Sequence, residues 1–374
     1  MSSLILKGNT SGQVTIQAPD EAGTTTLTLP TTNSTLATQN ALGVRNLIIN
    51  GDMRIDQRNG GASGTSANTY TLDRWRVYGS QTGKWSWQQS TNAPSNFTNS
   101  IIFTSSSAYT PLSTDVFLLQ QPIEGLNTAH LGFGTSSAKT ITLSFWTRSS
   151  LTGTFAGSFR NSASNRSYVF TYTINSANTW EYKTITIDGD TTGTWLTTNG
   201  VGLVLRFSIG AGSNYDTTAG SWQSADYYTT SSAVDLVATN GATWQITGVQ
   251  LEIGSATPFE HRPYDMELAR CQRYYFQYAG NTAYRFSTGY VLSATQSWHH
   301  VYAPTTMRTN PDLSYANFEV RDPSNAGIPS SIIIGQNNPN EIYLVTAITG
   351  GTAGNGCQFR AYADNAYMKF SAEL

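Results

Sequence analysis

Short stretches in which apolar and polar residues alternate recur between residues 46 and 263, and this period-two pattern is typical of half-buried β-strands. The candidate strands read NLIIN, DRWRVY, GKWSWQQS, FLLQQPI, ITLSFWTRS, YVFTYTI, EYKTITIDG, GVGLVLRFSIG and WQITGVQLEIG. Turn-rich connections such as SASN, DTTG and GAGSN separate them, and no helical periodicity intervenes. About nine to ten strands in one stretch predict an all-β domain, a jelly-roll β-sandwich, with Gly248 as a bulge in its last strand.

Charged residues make up only 12% of the chain, about half of the ~25% that is usual in soluble domains. A net charge of −2 and a pI of about 6.1 argue against nucleic-acid binding, because that function requires clustered Lys and Arg. No segment reaches the ~20 continuous apolar residues of a membrane-spanning helix, so we expect no membrane insertion. The apolar run near the N-terminus is too short for a signal peptide, so we expect folding in the cytoplasm where the chain is made.

Residues 1–45 carry two short alternating runs, QVTIQAP and TTTLTLP, joined by a PDEAG turn. The following STLATQNALG predicts a turn or two of helix that ends at Gly43. Two strands and so short a helix cannot bury enough apolar surface to fold alone. We therefore expect residues 1–45 to need a partner, which is either further copies of the segment or a larger protein.

The stretch 258–275, PFEHRPYDMELARCQRYY, differs from the rest because its apolar spacing is helical, with Asp265 as the candidate N-cap. After it, about five or six further candidate strands predict a second, smaller β-sandwich. We interpret the short helix as a joint between a jelly-roll domain, residues 46–263, and a C-terminal β domain, residues 264–374. We expect the charges of the joint to pair across the interface. These charged residues are Glu260, Arg262, Asp265, Glu267, Arg270 and Arg273.

The sequence offers little for catalysis or metal binding. His299 and His300 are adjacent, so on a strand they face opposite sides and cannot easily share a metal ion. No Gly-X-Ser-X-Gly elbow, phosphate-binding Gly loop or His-Glu-X-X-His motif occurs, so we expect no catalytic residues, no metal and no cofactor. Two well-placed carboxylates for glycoside hydrolysis stay an open alternative. The candidates for it lie in turns: Asp188, Asp190, Asp216 and Asp226. Cys271 and Cys357 are expected to be buried free thiols rather than a bridge.

Charges are densest in two blocks near the start of the jelly-roll region. Their residues are Asp52, Arg54, Asp56, Arg58, Asp73, Arg74 and Arg76. Because both signs alternate and Trp75 is the one aromatic residue among them, we favour ion pairs between adjacent strands and neighbouring subunits. A polar recognition site is the alternative.

Aromatic side chains are the better candidates for recognition, because sugar rings present apolar CH faces that stack on Trp and Tyr. Trp222, Tyr227 and Tyr228 lie in the irregular, turn-rich stretch SWQSADYY, and they are the candidate glycan-binding residues. Packing between subunits is the alternative for this stretch. Trp85 and Trp87 share one face of a strand, which favours packing in the core.

Several blocks resemble bacteriophage tail-fibre and related virion receptor-binding proteins: NLIINGDMRIDQRNGG, YTLDRWRVY and VQLEIGSATPFEHRPYDMELARCQRYY. APTTMRTNPDL and the terminal FSAEL are similar to the C-terminal domain of the same proteins. LKGNTSGQVTIQAPDEAGTTTLTLP is similar to short β segments that begin many phage fibre proteins. The first large domain also resembles jelly-roll carbohydrate-binding modules.

The resemblance implies a structural virion protein of the phage tail, assembled in the host cytoplasm. It implies a homotrimer that attaches to other tail or baseplate proteins through residues 1–45 and binds a host surface glycan without catalysis. Three weak sites acting together would gain avidity by raised effective concentration. Two alternatives stay open: a polysaccharide-depolymerising virion enzyme, and a capsid-surface fibre or passive tail adaptor.

Overall fold

The computed structural model describes residues 3–7, 11, 13–17, 45–323, 326–337, 339 and 341–374. The chain divides into one unit that ends at Gly43 and a second unit that begins at Val44. In the first unit, Ser3–Lys7 (β1) and Gln13–Gln17 (β2) pair as an antiparallel hairpin. The predicted strand in QVTIQAP is therefore confirmed, and its partner β1 was not predicted. The TTTLTLP strand, the PDEAG turn and the helix ending at Gly43 lie outside the described residues.

The predicted β-sandwich is confirmed. Its strands are Arg76–Gly79 (β3), Trp85–Ser90 (β4), Ser100–Ser105 (β5), Val116–Glu124 (β6), Ile141–Ser149 (β7), Gly153–Arg160 (β8), Ser167–Ile174 (β9), Glu181–Ile187 (β10), Val201–Ala211 (β11), Trp222–Gln223 (β12) and Thr243–Ile253 (β13). One sheet has the order β10-β7-β13-β5-β4 and the other the order β12-β9-β8-β11-β6-β3. A short helix, Gly125–Thr128 (α1), follows β6, and single 3-10 turns span Ala129–Leu131, Ser213–Tyr215 and Leu236–Ala238.

Aromatic side chains from both sheets fill the core of the sandwich. Trp85, Phe103 and Trp244 on one sheet and Phe207 on the other are almost completely buried in a single apolar cluster. The ring centroids of Phe103 and Trp244 are 6.0 Å apart, and those of Phe207 and Trp244 are 5.8 Å apart. Because side chains alternate along a strand, the neighbours of each inward ring point to the other face of its sheet, and several of them, such as Arg206, Ser208 and Gln245, are buried there as well. The prediction that Trp85 packs in the core is confirmed.

NLIIN was predicted as a strand, and this is wrong: Asn46 to Asn50 adopt no strand structure. Side chains, rather than the backbone of a neighbouring strand, form hydrogen bonds with the backbone of this segment. The amide of Gln121 accepts a hydrogen bond from Ile49 N at 2.9 Å and donates one to Ile49 O at 2.8 Å. The Asn46 side chain likewise accepts a hydrogen bond from Ile48 N.

Three strands of the sandwich, β5, β8 and the two-residue β12, were missed. The sequence of β8, GTFAGSFR, is rich in small residues and lacks a clear alternation. Small residues are required there because neighbouring groups approach the backbone closely. A Cβ atom on Gly157 would lie 2.4 Å from the ring of Phe170 and 2.4 Å from Arg206 O.

The second, smaller β-sandwich is also confirmed. A helix, Tyr264–Gln272 (α2), leads into it. Its strands are Tyr275–Gly280 (β14), Arg285–Ser293 (β15), Gln296–Tyr302 (β16), Asp312–Ala316 (β17), Phe318–Arg321 (β18), Ala326–Gly327 (β19), Ser331–Asn337 (β20), Glu341–Ala347 (β21), Gly356–Ala361 (β22) and Ala366–Ser371 (β23). They form a three-stranded sheet, β14-β23-β17, and a seven-stranded sheet, β19-β18-β22-β15-β16-β21-β20, around their own apolar cluster. From Val44 onward the chain is one compact unit, so the division at residues 263 and 264 stays a prediction.

The helix in the PFEHR…CQRYY stretch is confirmed, but Asp265 does not cap it. The helix begins two residues earlier than predicted, because Pro263 is the N-cap and its carbonyl accepts a hydrogen bond from Glu267 N at 3.1 Å. Asp265 therefore lies within the first turn. Cys271 and Cys357 are free and buried, as predicted. Across the described residues, no helix is long and apolar enough to span a membrane.

Candidate functional site

An open cleft of about 840 Å³ lies on the outer face of the five-stranded sheet. Trp146 on β7 and Tyr182 on β10 are register partners on neighbouring strands, and their ring centroids are 5.4 Å apart. Leu143 and Phe145 of β7 are buried in the core, so strand alternation turns Trp146 outward. Tyr182 keeps 44% of its surface exposed, so its ring is available to a ligand.

Three further rings also line the cleft and form its second wall: Phe97, Phe259 and His261. Their centroids are 5.1 Å apart for Phe97–Phe259, 5.1 Å for Phe97–His261 and 4.9 Å for Phe259–His261. We call these three rings, together with Trp146 and Tyr182, the aromatic cleft. The remaining lining residues are Ser95, Asn96, Ala256, Thr257 and Pro258.

Gly248 makes room for this arrangement. It lies where the register of β13 against β7 shifts between Thr247 and Gln250, so the predicted bulge is confirmed. Its φ is +63°, a conformation that glycine adopts without strain. A Cβ atom at this position would lie 2.7 Å from Phe97 Cζ and 3.2 Å from Trp146 Cδ1. A side chain here would therefore push the two walls of the cleft apart.

None of the described residues that line the aromatic cleft is Asp, Glu, Lys or Arg. Its polar groups are the side chains of Ser95, Asn96 and Thr257, with the Tyr182 hydroxyl and the His261 ring. Apolar rings surrounded by neutral donors and acceptors match a ligand that has both CH faces and hydroxyl groups.

The segment that carries Phe259 and His261 is held in place by the contacts of Glu260 and Arg262. Glu260 accepts hydrogen bonds from Arg45 N at 2.9 Å and Asn46 N at 2.8 Å. Arg262 donates to Ile48 O at 3.1 Å and pairs with Glu267 of α2 at 3.0 Å. Hence alternate side chains of one segment line the cleft and anchor the start of the sandwich to the helix.

Charges of the joint also pair with β6, as predicted. Arg273 makes two hydrogen bonds to Glu124, at 2.6 and 3.0 Å, and the Tyr274 hydroxyl donates a third at 2.6 Å. Burial alone would raise the pKa of Glu124, but these hydrogen bonds hold it below its ordinary value. Arg270 differs from the prediction, because its Nη1 has no hydrogen-bond partner.

The charge-dense blocks near the start of the sandwich form ion pairs with the C-terminal end of the chain. Arg58 contacts Glu373 at 2.9 Å and Asp73 at 3.4 Å, and Arg74 also pairs with Glu373. The Arg58 guanidinium lies 3.6 Å from the centre of the Tyr275 ring. Burial raises the pKa of Asp73 to about 6, against the opposing effect of Arg58. These contacts match the favoured interpretation of ion pairs, and they add Glu373 as a partner that was not predicted. Ion pairs between subunits stay a prediction.

The predicted glycan-binding residues lie away from the aromatic cleft and in two different environments. Trp222 is half-buried in a cluster with Trp195 and Tyr168, each at a centroid distance of 5.3 Å, and its Nε1 donates to Asp188 O. Tyr228 is buried and stacks on a neighbouring tyrosine ring, and Tyr227 is half-buried. Their role in binding stays a prediction. The cleft residues were missed because they come from four separate segments, although Trp146 and Tyr182 already stood at outward positions of alternating strands.

Within the described ranges, no group of three or more His, Cys, Asp or Glu side chains is placed to hold a metal ion. Two of the carboxylates named as hydrolytic candidates are paired with arginine side chains. Asp190 forms two hydrogen bonds of 2.7 Å with Arg166, and Asp226 pairs with Arg206 at 2.6 Å. Asp216 lines a second open hollow of about 560 Å³, where burial raises its pKa.

No protein-family model matches this chain, and no curated protein matches its sequence. Among solved structures, the enzymatically active domain of tailspike protein 4 from bacteriophage CBA120 is similar at 13% identity and a TM-score of 0.32, over 56% of this chain. A family 11 carbohydrate-binding module of a Clostridium thermocellum cellulase is similar at 12% identity and a TM-score of 0.27, over 55% of this chain and 100% of the module. A family 61 module in complex with β-1,4-galactotriose gives 14% identity and a TM-score of 0.28, over 56% and 100% of the two chains. The match spans only 21% of the tailspike chain.

Proposed function

We propose that the β-sandwich binds an uncharged glycan in the aromatic cleft. The observation that carries the proposal is a cluster of five rings that lines one open cleft. The half-buried Trp146 and the exposed Tyr182 lie 5.4 Å apart in it, and Phe97, Phe259 and His261 form a second group beside them. Its volume of about 840 Å³ falls within the range of ligand sites, ~300–1,000 Å³. Rings on both walls let a sugar stack by its apolar face while its hydroxyls meet the neutral polar groups between them.

We propose that binding occurs without catalysis. The lining of the cleft contains no carboxylate among its described residues, and glycoside hydrolysis generally needs two. The second hollow contributes one, Asp216, among threonine, serine and alanine side chains. Release of reducing ends from a polysaccharide incubated with the chain would overturn this part of the proposal.

We propose further that the protein is a homotrimeric fibre component of a phage tail, with residues 1–45 as the attachment segment. The resemblance of the sequence blocks supports this, as does the exposure of Ile5 on the two-stranded hairpin β1–β2. A hairpin of this size needs a partner to be stable. Repeated cleft sites would then act together on a host surface.

The test is binding of the full-length chain to neutral tetrasaccharides of glucose, galactose, xylose and mannose, first on an array and then by calorimetry. We expect Tyr182→Ala and Trp146→Ala to weaken binding about tenfold or more, which is about 1.4 kcal/mol. Tyr78→Ala is the matched control, because Tyr78 is a tyrosine of similar exposure, 40%, on the opposite sheet. The control should bind like the unmodified chain.

Each other outcome rejects part of the proposal. Absence of binding to every neutral glycan rejects glycan recognition. Binding that survives Tyr182→Ala but is lost in Tyr227→Ala moves the site to the stretch that the sequence predicted. Preference for acidic glycans over neutral ones rejects the neutral cleft as the binding site.

A further inference from the structure

A flat row of apolar side chains crosses four neighbouring strands of the seven-stranded C-terminal sheet. The strands β15, β16, β21 and β20 lie side by side in that order. Strand register aligns one side chain from each strand across the sheet, and we call these four residues the apolar row: Tyr290, Trp298, Val345 and Ile333. Their neighbours along the strands, such as Val291, Leu344 and Ile332, are buried in the core. The apolar row therefore faces away from that core.

Further apolar side chains of the same strands extend this face. The exposed fractions are 46% for Tyr290, 43% for Leu292, 37% for Trp298, 75% for Tyr302 and 58% for Ile333. Taking about 200 Å² for each large side chain, these residues expose roughly 500 Å² of mostly apolar surface. The largest such patch on an ordinary monomer is about 300–600 Å² and is often an interaction site.

The chemistry of this face fits a protein surface better than a sugar. Leu292, Val345 and Ile333 offer no hydrogen bonds to hydroxyl groups, unlike the polar lining of the aromatic cleft. The area matches the apolar core of a standard interface, which covers about 800 Å² on each partner including a polar rim. Polar residues are available for such a rim, because Arg360 and Glu319 form an ion pair at 2.5 Å on the neighbouring strands β22 and β18.

The absence of charge in the row fits a further copy of the same chain as the partner. Where copies of one face meet around a symmetry axis, a charged group near that axis approaches its own copy, which is destabilising. None of the four residues of the apolar row is charged, and Glu341 stands at the end of β21, opposite Tyr302. Such a face can meet copies of itself without repulsion.

We propose that this face is buried against further copies of the same chain and forms the apolar centre of an interface between their C-terminal domains. The proposal names a surface for the assembly described under the proposed function and rests on that assembly, not on glycan binding.

The test is sedimentation of the full-length chain across a range of concentrations. Ile333→Glu places a charge in the apolar row, and Ile328→Glu is the matched control, since Ile328 is 64% exposed in the same domain but lies outside the row. We expect the unmodified chain to assemble, Ile333→Glu to raise the dissociation constant about tenfold or more, and Ile328→Glu to leave it within about twofold. Circular dichroism confirms that the variants fold, and Tyr302→Asp, at the most exposed position, serves as a second variant.

A mass of 40.6 kDa at every concentration would overturn the proposal, as would equal association of Ile333→Glu and Ile328→Glu. Glycan binding by the same variants separates the two proposals, because neither substitution touches the aromatic cleft. Lost assembly with retained glycan binding supports the interface. If the chain assembles as expected but binds no glycan, the result rejects the proposed glycan site and leaves the proposed interface standing.

Discussion

Replacing Glu267 by leucine tests whether the buried charges of the joint hold the sandwich to the helix. Glu267 on α2 is 3% exposed, pairs with Arg262 at 3.0 Å and accepts a hydrogen bond from Asn50 N. Leucine keeps most of the volume but removes both interactions. Arg262 then retains Glu260 at 3.5 Å and backbone carbonyls, and Asn50 N loses its acceptor.

The expected cost follows from these contacts. Removing one partner of a buried ion pair typically costs about 3–5 kcal/mol, and a buried N–H without a partner costs about 1–3 kcal/mol. Because Glu260 still partly neutralises Arg262, we expect the low end, about 3 kcal/mol in the free energy of unfolding. Urea unfolding followed by tryptophan fluorescence measures this as a lower midpoint with an unchanged slope.

Two further variants make the measurement specific. Asp265→Leu is the matched control, because Asp265 is an exposed acidic residue of the same helix and should shift the free energy by less than about 0.5 kcal/mol. Replacing both Arg262 and Glu267 by leucine should recover part of the loss, because no charge is then left unpaired. If Glu267→Leu costs less than about 1 kcal/mol, the ion pair does not hold the joint.

Two other substitutions probe the C-terminal core and the cleft. Burial lowers the pKa of His299 to about 4, below its ordinary 6.5, so between these values the unfolded chain binds the proton more readily than the folded one. Stability should therefore be full above pH 6.5 and fall by up to roughly 3 kcal/mol as the pH drops to about 4. The urea midpoint measured against pH checks this, and His299→Gln should flatten the profile; an unchanged profile would refute the assignment. Gly248→Ala should weaken glycan binding about tenfold or more, because its Cβ would displace Phe97. Gly241→Ala is the control and should leave binding unchanged, because Gly241 is exposed, has a positive φ as well, and has no atom within 4 Å of a built Cβ. Equal affinities of the two variants in calorimetry would contradict this.

The sequence predicted the fold well where alternation was regular. In β7, Leu143 and Phe145 stood on one face, and both are buried. The alternation pattern wrongly predicted a strand in NLIIN, where the Gln121 side chain, rather than a neighbouring strand, forms hydrogen bonds with the Ile49 backbone. It also missed β8, because the small residues of that strand give no clear alternation of apolar and polar side chains. In each of these cases the determining contact comes from a distant part of the chain, and local periodicity carries no trace of it.

The candidate site was harder to predict for the same reason. Trp222 was predicted to bind because its stretch is rich in turn-forming residues, yet it lies on β12 and its ring packs against Trp195 and Tyr168. Trp146 lies on a regular strand, where burial is the usual expectation for a large ring. Trp146 points outward because the other face of β7 packs against the second sheet. It lines a cleft only because Phe97 and Phe259, which lie more than 150 residues apart in the sequence, fold next to it.

The contacts of residues 259–262 explain why the densest charges of the joint adjoin the aromatic cleft. A ring on a free loop loses conformational entropy when it binds a ligand, and that loss reduces affinity. Here Glu260 is hydrogen-bonded to Arg45 N and Asn46 N, and Arg262 is paired with Glu267, so the backbone on both sides of His261 is already fixed. The same contacts set the position of Phe259 against Phe97. The joint thus orders one wall of the cleft before a ligand arrives, and residues that never touch the ligand act as positioning residues for it.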